Sequence, residues 1–487
     1  MRTSTHPGIT IIGSGFAGLG MAIKLKEAGY HDFVILEKAG DLGGTWRDNT
    51  YPGCACDVPS HLYSFSYELN PRWSRMFSPS AEIRDYLRAC VGKYGLAPHL
   101  RFGEEVVGLE YDDAARHWRV DVAGGGTFTT NAVVSGTGAL HVPSLPAIPG
   151  RESFAGPSFH SAEWDHSVDL TGKRVAVIGT GASAVQFVPR IAERVSRLHV
   201  FQRTPPWIHP KPDFPFSPRA KRILGLPGAA RALRDAIYWA LESRALGFAV
   251  DPRLMGAHRE LALRHLAAQV PDPALRARLT PDYTIGCKRI LISSDYYPAL
   301  ARDNVEVITD EVREIREGSI VDSTGRETEV DVLVHGTGFR VTPALDGRRI
   351  VGRHGRKLQD AWQDGAQAYY GVTVAGFPNL FLLLGPNTGL GHNSVVFMIE
   401  SQVRYVLGCL RLLSRTKVRA LDVRPEAQRA HNDRLQERLN RRVWNTGGCG
   451  SWYLDEHGVN RTLWPGFTFE YWARTRTPRR EAYELIP

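Results

Sequence analysis

Ile9-Thr10-Ile11-Ile12-Gly13-Ser14-Gly15-Phe16-Ala17-Gly18 opens the chain's first ordered unit. A short apolar run that gives way to Gly-x-Gly-x-x-Gly reads as strand, tight turn and helix. Lacking side chains, the glycines let backbone N–H groups approach a pyrophosphate at a helix N-terminus, where the helix dipole favours negative charge. The helical pattern continues through Met21, Ile23 and Leu25 to near Gly29. A second strand, Phe33-Val34-Ile35-Leu36, then ends at Glu37-Lys38. An acid in that position can accept both hydrogens of a ribose diol.

The plan recurs further along. Arg174 to Ile178 reads as a strand, Gly179-Thr180-Gly181-Ala182-Ser183-Ala184 as the turn, and a helix carrying Gln186 follows. The next strand, Leu198 to Phe201, runs into Gln202-Arg203-Thr204 and not into an acid. A guanidinium pairs with a 2′-phosphate and Glu37 does not, so the first site is expected to take FAD and the second NADPH. One such turn is a weak signal, because glycine-rich turns are common; two in the same context imply two dinucleotide sites. The expected fold is α/β, with two Rossmann-like dinucleotide-binding domains and a helical insertion. Residues 1–140 and 331–487 are assigned to a discontinuous FAD domain, 141–170 to a linker, and 171–330 to an NADP domain with the insertion at about 215–280. Val133 to Gly138 and Val332 to Gly338 each read as a buried strand ending in Gly-Thr-Gly, where the chain crosses beneath a cofactor.

Composition narrows the partners. The net charge of +9 suits cofactor phosphates, but no Lys/Arg block or nucleic-acid signature accompanies it, so no nucleic-acid partner is expected. Six scattered cysteines form neither a disulfide framework nor a zinc pattern, which predicts no metal and a cytoplasmic protein. No signal-peptide pattern is evident, and the apolar region from Gly371 to Leu390 is broken by glycine and proline, so a soluble protein is expected. The Ala/Leu/Arg-rich insertion has a membrane-surface alternative, but membrane association is not expected.

Phe154-Ala155-Gly156-Pro157-Ser158-Phe159-His160-Ser161-Ala162-Glu163-Trp164-Asp165 and Gly43-Gly44-Thr45-Trp46, with Tyr51-Pro52-Gly53 and Asp57, carry a more specific signal. Both segments resemble fingerprints of the type I Baeyer–Villiger monooxygenases, flavoproteins of the flavin-containing monooxygenase superfamily, and the C-terminal part is similar to shorter members such as 4-hydroxyacetophenone monooxygenase. The resemblance implies conversion of a ketone to an ester or lactone with NADPH and dioxygen, through a peroxide formed on the flavin, with sulfoxidation as a side activity. It also implies that Asp57 and Arg289 are the catalytic pair beside the flavin, and that Lys288 meets the NADP 2′-phosphate. Gly44, Thr45, Trp46, Tyr63 and Val106 are expected along the flavin. Asn387 and Val395, near the start of a later helix, are expected at its pyrimidine edge. His160 is expected to be structural, and Trp452 either borders the site or simply packs. The alternatives are an N- or S-oxygenating flavin monooxygenase, a flavin disulfide reductase using Cys54 and Cys56, and a non-enzymatic binding protein. Neither oligomeric state nor the identity of the ketone has a motif of its own.

Overall fold

The computed structural model describes residues 7–340 and 347–487. Its first parallel sheet runs Leu380–Leu382, Ala132–Ser135, Ile9–Ile12, Phe33–Glu37, Leu100–Phe102 in spatial order. Ile9–Ile12 is its middle strand and is buried at every position, because both sheet faces are covered. One face packs on the helices Phe16–Glu27 and Val395–Thr416. The other is covered by a smaller sheet that includes Val106–Asp112 and His117–Val122, with Trp118 fully buried. The chain leaves the middle strand towards opposite neighbours in turn, and this creates a crevice beyond the strand's C-terminal end, where such folds bind ligands.

A second five-stranded parallel sheet runs Val305–Ile308, Arg197–Phe201, Arg174–Ile178, Val332–His335, Ser158–His160. Two boundaries therefore move. Val332–His335, read as the start of the returning first domain, is a strand of the second sheet, and Ser158–His160, read as linker, is that sheet's edge. Both were placed by motif alone, and parallel pairing partners are not visible in local sequence.

The twin Gly-Thr-Gly segments have a shared physical role. Gly136 N–H donates to the Ile12 carbonyl and Gly336 N–H to the Ile178 carbonyl, each at 2.8 Å. A Cβ on Gly13 would lie 2.7 Å from the Gly136 carbonyl oxygen, and one on Gly179 would overlap that of Gly336. Both turns also sit at positive φ, +97° and +108°, so glycine is required twice over.

The insertion is helical, with Pro218–Leu224, Ala229–Glu242, Met255–Gln269 and Pro273–Arg278 as its α-helices. It is fastened to the first unit: buried Arg234 donates from Nη1 to the carbonyls of His61, Leu62 and Ser64 at 2.8 to 3.0 Å. No described helix is long and apolar enough to cross a membrane. The cysteines depart from expectation: Cys287 and Cys449 form a disulfide, and Cys54, Cys56, Cys90 and Cys409 are free and buried. A pair separated by 162 positions has no spacing rule by which sequence could reveal it.

Candidate active site

The crevice over the first sheet is an open cleft, with about 960 Å³ of unfilled space when the solvent at its mouth is included. Gly13, Ser14, Gly15, Phe16 and Ala17 line one wall; Glu37 and Lys38 line the end of the second strand. Gly44, Thr45, Trp46, Tyr63, Val106 and Val395 complete the predicted set that faces it. Trp46 donates from its indole to the Tyr63 hydroxyl at 3.3 Å, so the two rings form one wall. Gly15 has only the Gly44 Cα, 4.0 Å away, near where its Cβ would stand, leaving a cradle open to a ligand.

Glu37 is buried and highly organised. Its carboxylate accepts from Ser14 N–H at 3.0 Å, Ser14 Oγ at 2.8 Å and Ala39 N–H at 3.1 Å, and pairs with Arg47 at 3.0 Å. Burial alone would raise its pKa; the hydrogen bonds and the Arg47 charge outweigh it and hold the group below its ordinary value. Arg47 was not singled out from sequence, although it directly follows Trp46 in the quoted motif.

Two predicted contacts fall elsewhere. Gly18 does not line the cleft; a Cβ there would overlap the Gly13 carbonyl, so its absence permits close helix–strand packing. Asn387 is buried away from the cleft wall, where Nδ2 donates to the carbonyls of Asn460 and Leu463 at 2.8 and 3.2 Å. It anchors the C-terminal segment. Val395 does reach the cleft, at the first turn of a 22-residue helix whose N-cap, Ser394, accepts from Val396 N–H.

In the second unit, Gly181 and Ala182 are exposed at the start of the helix Ala182–Ile191, beside Thr180 and Ser183, with Ala184 buried beneath. Thr180 Oγ1 donates to the Thr204 carbonyl at 3.1 Å, tying the turn to the strand end that carries Arg203. Gln186 belongs to the domain contact: its Oε1 accepts from Tyr51 OH and Ala55 N–H, and its Nε2 donates to the Ala55 carbonyl. Trp164 packs between Phe159 and Phe187, with ring centroids 5.2 and 5.3 Å away, so the fingerprint segment buttresses the nucleotide helix. His160 Nδ1 accepts from Ala162 N–H at 3.1 Å.

Between the units, Arg289 meets Asp57. Nε and Nη2 both contact Asp57 Oδ2, at 2.8 and 2.7 Å, and the two side chains are 30% and 29% exposed. The Asp57 charge, against the opposing effect of burial, makes the Arg289 guanidinium harder still to deprotonate. Lys288 has its pKa lowered, first by burial and then by repulsion from Arg203, so two cations from separate elements share one field. Tyr453 was missed in favour of its neighbour. Trp452 is 45% exposed, whereas Tyr453 is buried within the field of Arg289 and Asp57, its hydroxyl pushed up to about 12 mainly by burial. A second, polar cleft lies behind this region, lined by Gly53, Arg75, Gln186, Lys211, Asp213 and Asp295.

Residues 10–225, spanning both glycine turns, match the pyridine nucleotide-disulphide oxidoreductase family. The chain is 52% identical over 482 residues to a Baeyer-Villiger monooxygenase of Pseudomonas aeruginosa, covering 99% of this chain and 92% of that protein. It is 50% identical to a Baeyer-Villiger monooxygenase of Streptomyces coelicolor, covering 99% and 93%. Among solved structures, oxidized steroid monooxygenase bound to NADP superposes with a TM-score of 0.87 at 28% identity, covering 99% of both chains. Cyclohexanone monooxygenase from Rhodococcus sp. Phi1 bound to NADP+ does so with 0.86 at 27%, over the same shares. Half-identical to two such enzymes along almost its whole length, the chain belongs to the Baeyer–Villiger monooxygenase family.

Proposed function

We propose that this enzyme uses FAD, NADPH and dioxygen to insert one oxygen atom beside the carbonyl of a small-molecule ketone, giving an ester or lactone. The observation that carries this reading is the Asp57–Arg289 pair, which joins the two units that carry the nucleotide turns. The residues fit both cofactors. The open Gly13/Gly15 cradle and the N-terminus of Phe16–Glu27 suit the FAD pyrophosphate. A ribose diol would share the Glu37 carboxylate with Ser14 and Arg47, while Thr45, Trp46, Tyr63 and Val106 line the remainder of the cleft. Exposed Gly181 and Ala182 suit the NADPH pyrophosphate, and Arg203 with Lys288 suits its 2′-phosphate.

Bound in the cleft, FAD would supply the two-electron chemistry that couples NADPH oxidation to oxygen transfer. The chain's task is electrostatic. Asp57 holds the Nε and Nη2 edge of Arg289, which leaves the Nη1 end to stabilise negative charge that develops on the substrate's carbonyl oxygen. A permanently charged guanidinium does this without giving up a proton, and its fixed partner prevents it from swinging into solvent. That arrangement favours attack on a carbonyl over N- or S-oxygenation, which draws no benefit from a cation at an oxyanion. We assign 1–140 and 331–487 to the FAD domain, with Val332–His335 lent to the NADP sheet, and 171–330 to the NADP domain, whose sheet takes Ser158–His160 of the linker as its edge. We place the enzyme in the cytoplasm on its four free, buried thiols.

The test is NADPH consumption over linear, cyclic and aryl ketones under isotopically labelled dioxygen, with a thioether alongside. The expected product is an ester or lactone that carries one labelled oxygen. NADPH oxidised only to hydrogen peroxide, or a thioether consumed while every ketone is returned unchanged, overturns the reading.

A further inference from the structure

The Cys287–Cys449 disulfide lies in the segment where the two units meet over Arg289, and the mechanism above does not use it. Cys287 directly precedes Lys288-Arg289, the pair on which phosphate and oxyanion recognition depend. Cys449 stands four residues before Tyr453, which shares the field of Arg289. The bond therefore joins the loop that follows the helical insertion to the C-terminal segment of the other unit. Their Cα atoms are 6.2 Å apart, a normal disulfide separation.

Beside it, the Phe248 ring of the insertion stacks on Trp444 of the C-terminal segment, with ring centroids 5.6 Å apart. Thr284 N–H donates to the Gly447 carbonyl at 3.2 Å, and the stretch from Gly448 to Trp452 is irregular and mostly exposed. The two segments approach closely: a Cβ on Gly447 would lie 2.6 Å from the Cys287 Cβ. Glycine at 447 is what lets the cysteines meet. The four remaining cysteines are buried and unpaired, so this pair is set apart from them by geometry.

Resting on the function proposed above, we infer that Cys287 and Cys449 are a positioning pair for Arg289. Joined, they hold the Lys288–Arg289 loop against the Tyr453 segment and keep the guanidinium aligned; as two thiols, they release it. The joining step is balanced by a hydroperoxide. Two S–H bonds and one O–O bond break, one S–S bond forms, the sulfurs pass two electrons to the peroxide, and two waters result when the oxidant is hydrogen peroxide. A dithiol reverses it by exchange through a mixed disulfide. Intracellular disulfides are commonly of this reversible kind.

The test uses the FAD-loaded full-length enzyme. Thiol counting after denaturation should find four free thiols before dithiothreitol and six after it, from the six cysteines present. Reduction should lower ester formed per NADPH oxidised about tenfold, since a small misplacement of a reacting group costs rates of this order or more. Hydrogen peroxide followed by its removal should restore the yield. Cys287→Ser and Cys449→Ser should each reproduce the loss, keep normal FAD content, and no longer respond to dithiothreitol. A purely structural cross-link would instead lower stability while leaving the product-to-NADPH ratio intact. Six thiols that stay six after peroxide, or a reduced wild type with an unchanged ester yield, overturn the inference. The wild-type titration decides alone if the serine variants do not fold. A fully oxidised wild type that forms no ester on any ketone counts against the proposed function, and the thiol count is unaffected by that outcome.

Discussion

Exchanging the Arg289 guanidinium for a methyl group removes the cation that Asp57 holds in place. Arg289→Ala is expected to abolish ester formation, by at least about a hundredfold for the loss of a charged oxyanion donor, and to leave FAD content unchanged. Ester production at a normal rate would show that the oxyanion is held elsewhere. Asp57 acts through geometry and charge together, since a single oxygen receives both Nε and Nη2. Lys288 and Arg203 make a separate claim. Each repels the other, so a dianionic phosphate between them relieves a cost that the free enzyme carries. Lys288→Ala and Arg203→Ala should each raise KM for NADPH about 10- to 100-fold, as expected for a lost charge-assisted hydrogen bond, with little change for NADH. Equal losses with both nucleotides would place the two cations away from the 2′-phosphate.

The helix Ala182–Ile191, proposed above to seat the NADPH pyrophosphate, draws its support from outside its own unit's motif. Trp164 fills the space between Phe159 and Phe187 on one side, and Gln186 grips the Tyr51–Ala55 turn on the other. Trp164→Ala leaves a cavity beneath that helix and is expected to cost about 3 to 5 kcal/mol. Thermal unfolding should register the loss, and KM for NADPH should rise while bound FAD stays at one per chain. An unaltered NADPH affinity would mean that the fingerprint tryptophan supports the core without setting the helix. The same element shows how motif and structure differ: the glycine turn at its start was legible, because backbone geometry dictates residue type there. Gln186 is expected from sequence to touch NADP, but its observed partners lie more than a hundred positions away, and only packing shows that its amide is committed to them.

Across the whole molecule, burial of neutral histidines sets the response to acid. His61, His209, His335 and His431 each have a pKa lowered to about 4, principally by burial. Folded values lie below the ordinary 6.5, so the stability they contribute is full above that pH and is lost as pH falls towards 4, on the order of 1 to 3 kcal/mol for each group. Asp422 opposes them: burial raises it to about 6, so its protonated form favours the fold as pH falls from 6 to its ordinary value. Burial also lowers His141, His160, His199 and His258 and raises Glu400 alongside Asp422, so the lowered histidines outnumber the raised acids and predict a melting temperature that declines from pH 7 to pH 5, read by thermal unfolding of the holoenzyme. A flat profile would show that these histidines are not neutral and buried together. Sequence by itself determined the two strand–turn–helix units, the acid and the arginine at their second-strand ends, and the fingerprint segments, because each is a local pattern in which backbone sterics or side-chain charge demands a residue type. Tertiary structure alone decided that Val332–His335 and Ser158–His160 join the second sheet, that Tyr453 and not Trp452 turns inward, that Asn387 anchors chain away from the cleft wall, and that Cys287 meets Cys449. These are pairings between distant segments, fixed by how two units close over one another, and no short stretch of chain carries the information for such an encounter.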